Sequence, residues 1–149
     1  MSSVHRLDPW TDAAKLAQRL SEPGTELLIV LGAETWCEKC RRLRPAFDAL
    51  TAGMSRHILP MWLDLEDHAD FLHGFIPPDL PLLLRWRQGV CVQAAVLSDI
   101  QPEAPQSEQV KLRPLVIEGT RLRDPHHGDL VEIPLLWAEF SAASWASGT

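Results

Sequence analysis

Two thiols separated by two residues, Cys37 and Cys40 in Trp36-Cys37-Glu38-Lys39-Cys40, are the part of this sequence best equipped for chemistry. They stand between an apolar run, Leu27-Leu28-Ile29-Val30-Leu31, and a stretch with helical periodicity. At a helix start such a pair can close into a disulfide and open again at small conformational cost. The first thiol then lies beside orphan backbone N–H groups and the positive end of the helix dipole, which favours thiolate. Thiolate is the attacking species in disulfide exchange, so the motif points to dithiol–disulfide chemistry. The competing chemistry is a metal knuckle. Zinc takes four ligands, usually from two such pairs. The chain has no second CxxC, and Cys91 with His126 or His127 would be an ad hoc completion. No metal and no cofactor is therefore assigned.

The elements that must position the thiols are legible around them. Asp8 is read as the N-cap of a first helix, with Pro9 at its first position. Trp10, Ala13, Ala14, Ala17 and Leu20 recur at helical spacing until Pro23-Gly24. Residues 26–31 read as a strand buried on both faces, because they do not alternate. A second helix runs from Cys37 toward Ala52, with Leu43, Ala46, Phe47 and Leu50 on its apolar face and a kinking Pro45 inside it. Residues 57–65 form another strand, and 67–75 a short helix with Phe71 and Leu72 inward. Residues 82–86 and 90–97 form a hairpin about Arg87-Gln88-Gly89. Residues 98–109 read as a loop. Residues 110–122 carry alternating apolar residues and read as an added strand or hairpin. Asp124 to Asp129 form a turn, and 134–146 a last helix with Leu136, Trp137, Phe140 and Trp145 to bury. The order is that of an α/β domain with an open sheet and helices for both faces.

Composition agrees with one soluble domain over residues 1–149: 46% hydrophobic, 23% charged and a net charge of −6. The acidic balance argues against nucleic acid as a partner. No apolar run approaches the roughly 20 residues needed to span a bilayer, so no membrane partner is expected. The first ten residues hold no apolar leader, and three cysteines are too few for a disulfide scaffold. The expected compartment is the reducing cytoplasm, where a CxxC is catalytic, redox-sensing or metal-binding. The acidic residues Asp64, Glu66, Asp67 and Asp70 read as a solvated strand end and helix start. Cys91 reads as a small buried hydrophobe in a strand, and His126-His127 as a solvated turn.

In order along the chain, the motifs resemble those of the thioredoxin-like family. Trp36-Cys37-Glu38-Lys39-Cys40 follows a buried strand, as Trp-Cys-x-x-Cys does there. Pro45 stands five residues after Cys40, like the family's helix-kinking proline. Leu80-Pro81-Leu82-Leu83-Leu84 is similar to its Ile-Pro-Thr-Leu-Leu segment, and Arg87-Gln88-Gly89 to its Lys-Asn-Gly turn. The resemblance covers residues 9–97. It implies a thioredoxin-like fold with a mixed central sheet and an extended C-terminal segment over 110–149. It also implies a cis Leu80–Pro81 bond facing the thiols. Cys37 is then the attacking thiol and Cys40 the resolving one. Trp36, Leu80 and Pro81 line the substrate site, with the Leu80 backbone free to pair with a substrate strand. Glu38 and Lys39 replace the family's Gly-Pro and tune the couple, Lys39 with Arg41, Arg42 and Arg44 favouring thiolate and Glu38 opposing it. Val30 and Leu31 occupy the region of the family's buried Asp, with Glu34 as a possible substitute. The implied activity is thiol–disulfide exchange. Its partners are protein disulfide substrates and a thiol reductase or small-thiol electron donor. The alternative is a binding, chaperone-like or assembly-accessory module with secondary redox activity or none. The non-standard Glu-Lys pair and the added segment favour that alternative.

Overall fold

The computed structural model describes residues 7–126, 128 and 130–142. The expected Trp145 and the end of the last helix lie outside those residues, as does His127. The architecture is mixed α/β. Helix α1 (Ala13–Leu20) leads into strand β1 (Glu26–Gly32), then α2 (Glu38–Thr51), β2 (Ile58–Asp64) and the short α3 (Ala69–Leu72). The hairpin β3 (Leu82–Arg87) and β4 (Val90–Ile100) is followed by β5 (Val110–Pro114). Three short strands, β6 (Val116–Glu118), β7 (Arg121–Arg123) and β8 (Leu130–Glu132), precede α4 (Leu136–Ala142).

The main sheet has the order β2-β1-β3-β4-β5, with β1 and β2 parallel and the other neighbours antiparallel. Strand β1 is the centre of the core. Leu27, Ile29 and Leu31 enter one apolar cluster, and Leu28 and Val30 the other, as a strand covered on both faces requires. The first cluster collects Leu16 of α1, Phe71 of α3 and Leu136 and Phe140 of α4. The second collects Cys40, Leu43 and Phe47 of α2. Three helices thus share one face and α2 has the other.

Helix α2 covers only part of its face. Strand β3 alternates Leu82, Leu84 and Trp86 toward the first cluster, and Leu83, Arg85 and Arg87 toward the second face. Beyond Leu83 that face is polar. Glu26 accepts from Arg85 at 2.9 Å and from Arg87 at 2.8 Å, and Arg85 also donates to Gln93 at 3.1 Å. Burial raises the Glu26 carboxyl, but the hydrogen bond from Arg85 and the charge of Arg87 outweigh it and hold it below its ordinary value.

Several expectations are corrected. Helix α1 begins at Ala13, not at Pro9. The Asp8 carboxylate accepts from Trp10 N, and Asp12 Oδ2 accepts from Asp8 N, so these residues close a turn before the helix. The buried face of α1 is Ala13, Leu16 and Leu20, while Ala14 is exposed. Strand β4 continues through Ser98 to Ile100, which the polar composition had assigned to a loop. A register shift between Leu97 and Asp99 keeps Ile100 buried. The alternating stretch over 110–122, read as an added strand or hairpin, supplies both: strand β5 on the main sheet and the hairpin of β6 and β7. Pro114 ends β5 beside β4, Leu115 N donates to Ala94 O, and β6 and β7 then start a separate three-stranded sheet, β6-β7-β8. In the β3–β4 turn, Gln88 and Gly89 both have positive φ, 50° and 82°, as two-residue hairpin loops favour. No helix among the described residues is long and apolar enough to cross a membrane.

The C-terminal segment belongs to the first cluster through Leu115, Leu122, Ile133, Leu136 and Phe140, all buried. Phe140 packs its ring edgewise on Phe71 at 5.2 Å. Phe140→Ala should therefore lower stability by about 3–5 kcal/mol in urea unfolding; a loss under about 1 kcal/mol would mean that α4 is not part of the core.

Candidate functional site

The parallel strands β1 and β2 end together, with Gly32 opposite Asp64. Position 32 needs glycine, because a Cβ there would come within 2.6 Å of the Trp62 ring. The chain leaves β1 through Ala33 to Cys37. Asp64, expected to be solvated, is only 5% exposed and organises this exit. Its carboxylate accepts from Glu34 N at 3.0 Å and from Glu66 N at 2.9 Å, with Asp67 N at 3.3 Å. Burial raises its pKa, but these backbone donors outweigh that and hold it below its ordinary value. The sequence signal was an Asp at a strand end immediately before a turn, where its side chain can bond the following N–H groups.

Cys37 is the N-cap of α2, in extended conformation at φ −110° and ψ 104°. Its N–H donates to Ala33 O at 2.8 Å, and its sulfur accepts from Cys40 N at 3.2 Å. Cys37 and Cys40 are joined in a disulfide, with their Cα atoms 5.2 Å apart. Cys37 is half-buried, whereas Cys40 is fully enclosed with Val30, Leu43, Phe47 and Trp62 in the α2-side cluster. One sulfur is thus half-exposed and held against the Cys40 N–H, and the other is enclosed in the core.

The basic residues after the motif are largely engaged. Arg41 donates to Glu34 O at 2.7 Å, and Arg42 faces Asp99 at 3.5 Å. Arg44 lies over the Trp62 ring at 5.4 Å and reaches Glu34 Oε1 at 3.5 Å and Asp48 at 3.8 Å. Glu34, read as a possible but more exposed substitute for the family's buried acid, points its carboxylate to Arg44 and is 43% exposed. Glu38 is exposed and Lys39 half-buried on the first turn of α2.

The Leu80–Pro81 bond is cis, as the resemblance implied. Leu80 packs against the same cluster as Cys37, and Leu80 and Trp36 line one cleft of about 480 Å³. Trp36, 62% exposed, forms its lip. Pro81 is buried, and its carbonyl accepts from Leu97 N at 2.8 Å. The Leu80 N–H is not free, since it donates to Asp79 Oδ1 at 2.8 Å. Among the described residues, no hydrogen bond reaches the Leu80 carbonyl.

A network missed by sequence reasoning holds this loop. Arg113 of β5 binds the fully buried Asp124 through both carboxylate oxygens, at 2.8 and 3.1 Å, and also reaches Asp79 at 3.1 Å. Hydrogen bonding to Asp124 raises the Arg113 pKa further. Cys91 stands apart, a half-buried thiol pushed up by burial to about 11. It is protonated at neutral pH and takes no part in the site. Among the described residues, no group of three or more His, Cys, Asp or Glu side chains is disposed to hold a metal ion.

No family model matches the chain, and no curated protein matches its sequence.

Asp64→Ala should cost on the order of 1–3 kcal/mol, because it leaves buried N–H groups unpaired. Since the Asp64 carboxyl is depressed below 3.8, its stabilisation is complete above pH 3.8 and is lost as the pH falls through the lower folded value. Urea unfolding of the wild type and Asp64→Ala from pH 7 to pH 3 should show the gap between the two narrowing only at the acid end. A constant gap at every pH would remove the carboxylate from the account of this loop.

Proposed function

We propose that this chain is a thiol–disulfide oxidoreductase of thioredoxin-like architecture, reducing protein disulfides through Cys37 and Cys40. The observation that carries the reading is the pair itself: a half-open sulfur capping α2 over a fully enclosed one. The strand order β2-β1-β3-β4 and the placement of Leu80 and Trp36 around one cleft support the same reading.

In the reduced protein, the Cys37 thiolate attacks one sulfur of a substrate disulfide. A bond forms between Cys37 and that sulfur, and the other substrate sulfur leaves as thiolate. The Cys40 N–H, which now donates to Cys37 Sγ, is placed to stabilise the attacking thiolate. Cys40 then gives up its proton and attacks Cys37. The mixed disulfide breaks, the second substrate thiolate departs, and Cys37–Cys40 is left oxidised. Two electrons pass from the dithiol to the substrate, and its two sulfurs end protonated. A dithiol reductase or small thiol in the cytoplasm restores the reduced pair.

Purified protein should reduce insulin disulfides with dithiothreitol as donor, read as turbidity, and Cys37→Ser should abolish this. The Cys37/Cys40 pair should also titrate reversibly in a dithiol redox buffer. A pair that cycles reversibly yet leaves insulin untouched would favour the binding-module reading, in which the dithiol is secondary.

A further inference from the structure

The cleft beside Trp36 does not end there. A second cavity of about 720 Å³ shares Leu72, Gly74, Phe75 and Ile76 with it and continues to β8 and the start of α4. The two form one apolar trough. Its rim carries three large exposed hydrophobic residues: Trp36 at 62%, Ile76 at 78% and Leu135 at 68% exposure. Aligned exposed apolar residues of this size mark a binding surface. The far wall is β8, which lies at the outer edge of its sheet among the described residues, a position open to pairing with an extended chain. The charged side chains lining the far end are Glu132 and Glu139. Glu132 is paired with Arg121 at 2.6 Å, and Glu139 with His73 at 3.0 Å, a partner that carries charge only when protonated. Glu132 is thus already matched by Arg121, and Glu139 is the carboxylate whose charge calls for a cation.

We propose that this trough is the docking groove for the polypeptide segment flanking the substrate cysteine, and that it selects an apolar segment with a basic residue toward its β8 end. The proposal rests on the redox reading of Cys37 and Cys40, because the substrate cysteine is what places that segment beside Trp36. The C-terminal segment then has a role of its own. By adding β8, Ile133 and Leu135, it turns a short cleft into a long groove and narrows the range of substrates.

The groove is tested first without any redox chemistry. Oxidised protein is titrated calorimetrically with two synthetic peptides in which serine replaces the cysteine. One carries Leu and Val beside the serine and a Lys beyond them; the other carries Gly and Ser with the same Lys. The apolar peptide should bind at least about tenfold more tightly. Ile76→Glu and Leu135→Glu, both at exposed positions, should erase that difference while their circular dichroism and thermal unfolding stay those of the wild type. Glu139→Gln should weaken binding of the Lys peptide several-fold relative to a peptide with Gln in place of the Lys. Equal affinity for the two peptides, or variants that keep the preference, overturns the groove. So does concentration-dependent dimerisation abolished by Ile76→Glu, which would make a second copy of this chain the occupant. In a separate arm, the reduced protein is mixed with Ellman's reagent, a small disulfide that needs no groove. Peptide preference without exchange at Cys37 leaves the groove standing and removes the redox reading. Exchange without peptide preference does the reverse.

Discussion

Strand β1 has no solvent-facing side, and the site depends on that. Leu27, Ile29 and Leu31 are held by α1, α3 and α4, while Leu28 and Val30 are held by α2. A strand fixed from both faces delivers its C-terminal end to one place, so Gly32 can sit directly under the Trp62 ring and opposite Asp64. Asp64 then fixes the next turn by accepting from Glu34 N. Five residues after Gly32 the chain reaches Cys37 with its sulfur already against the first turn of α2. The disposition of the thiols therefore follows from the packing of β1 and from Trp62 and Asp64 of β2, and little of it is local to the motif.

The C-terminal segment is joined to the site by a different interaction. Arg113 pairs with buried Asp124 in the added segment and with Asp79 in the loop that carries Leu80 and Pro81. Asp124 is enclosed, so this pair is screened far less than the surface pairs of the molecule. Helix α4, which follows, packs with α1 on the face opposite α2. The part of the sheet that α2 leaves uncovered is closed by Glu26, Arg85, Arg87 and Gln93 rather than by another helix.

Much of this was legible from local pattern. The unbroken apolar run of β1, the 3–4 spacing of Leu43 and Phe47 after a capping cysteine, and the Gln88-Gly89 turn each carry their own physical reason, and the structure has all three. Trp36 and Leu80, brought together only by the family resemblance, line one cleft. What the sequence hid were contacts between residues far apart in the chain. Asp79 and Arg113 are 34 positions apart, and neither has a local pattern that predicts the other. Asp64 was read as solvated because it sits among Glu66, Asp67 and Asp70, yet only its side chain turns inward to backbone donors. Residues 98–100 were read as loop from polarity, although β5 provides the pairing that keeps them in a strand.

The central claim is that Cys37 is the attacking sulfur and Cys40 the resolving one. Cys40→Ser removes only the second step, so the mixed disulfide with substrate should accumulate. The variant, reduced and mixed with a peptide disulfide, is digested and mapped by mass spectrometry. One peptide adduct per chain is expected, on Cys37, formed faster than any adduct on Cys91 and released by dithiothreitol. An adduct that forms on Cys91 first, or a Cys37 no more reactive than a free cysteine, would contradict the claim.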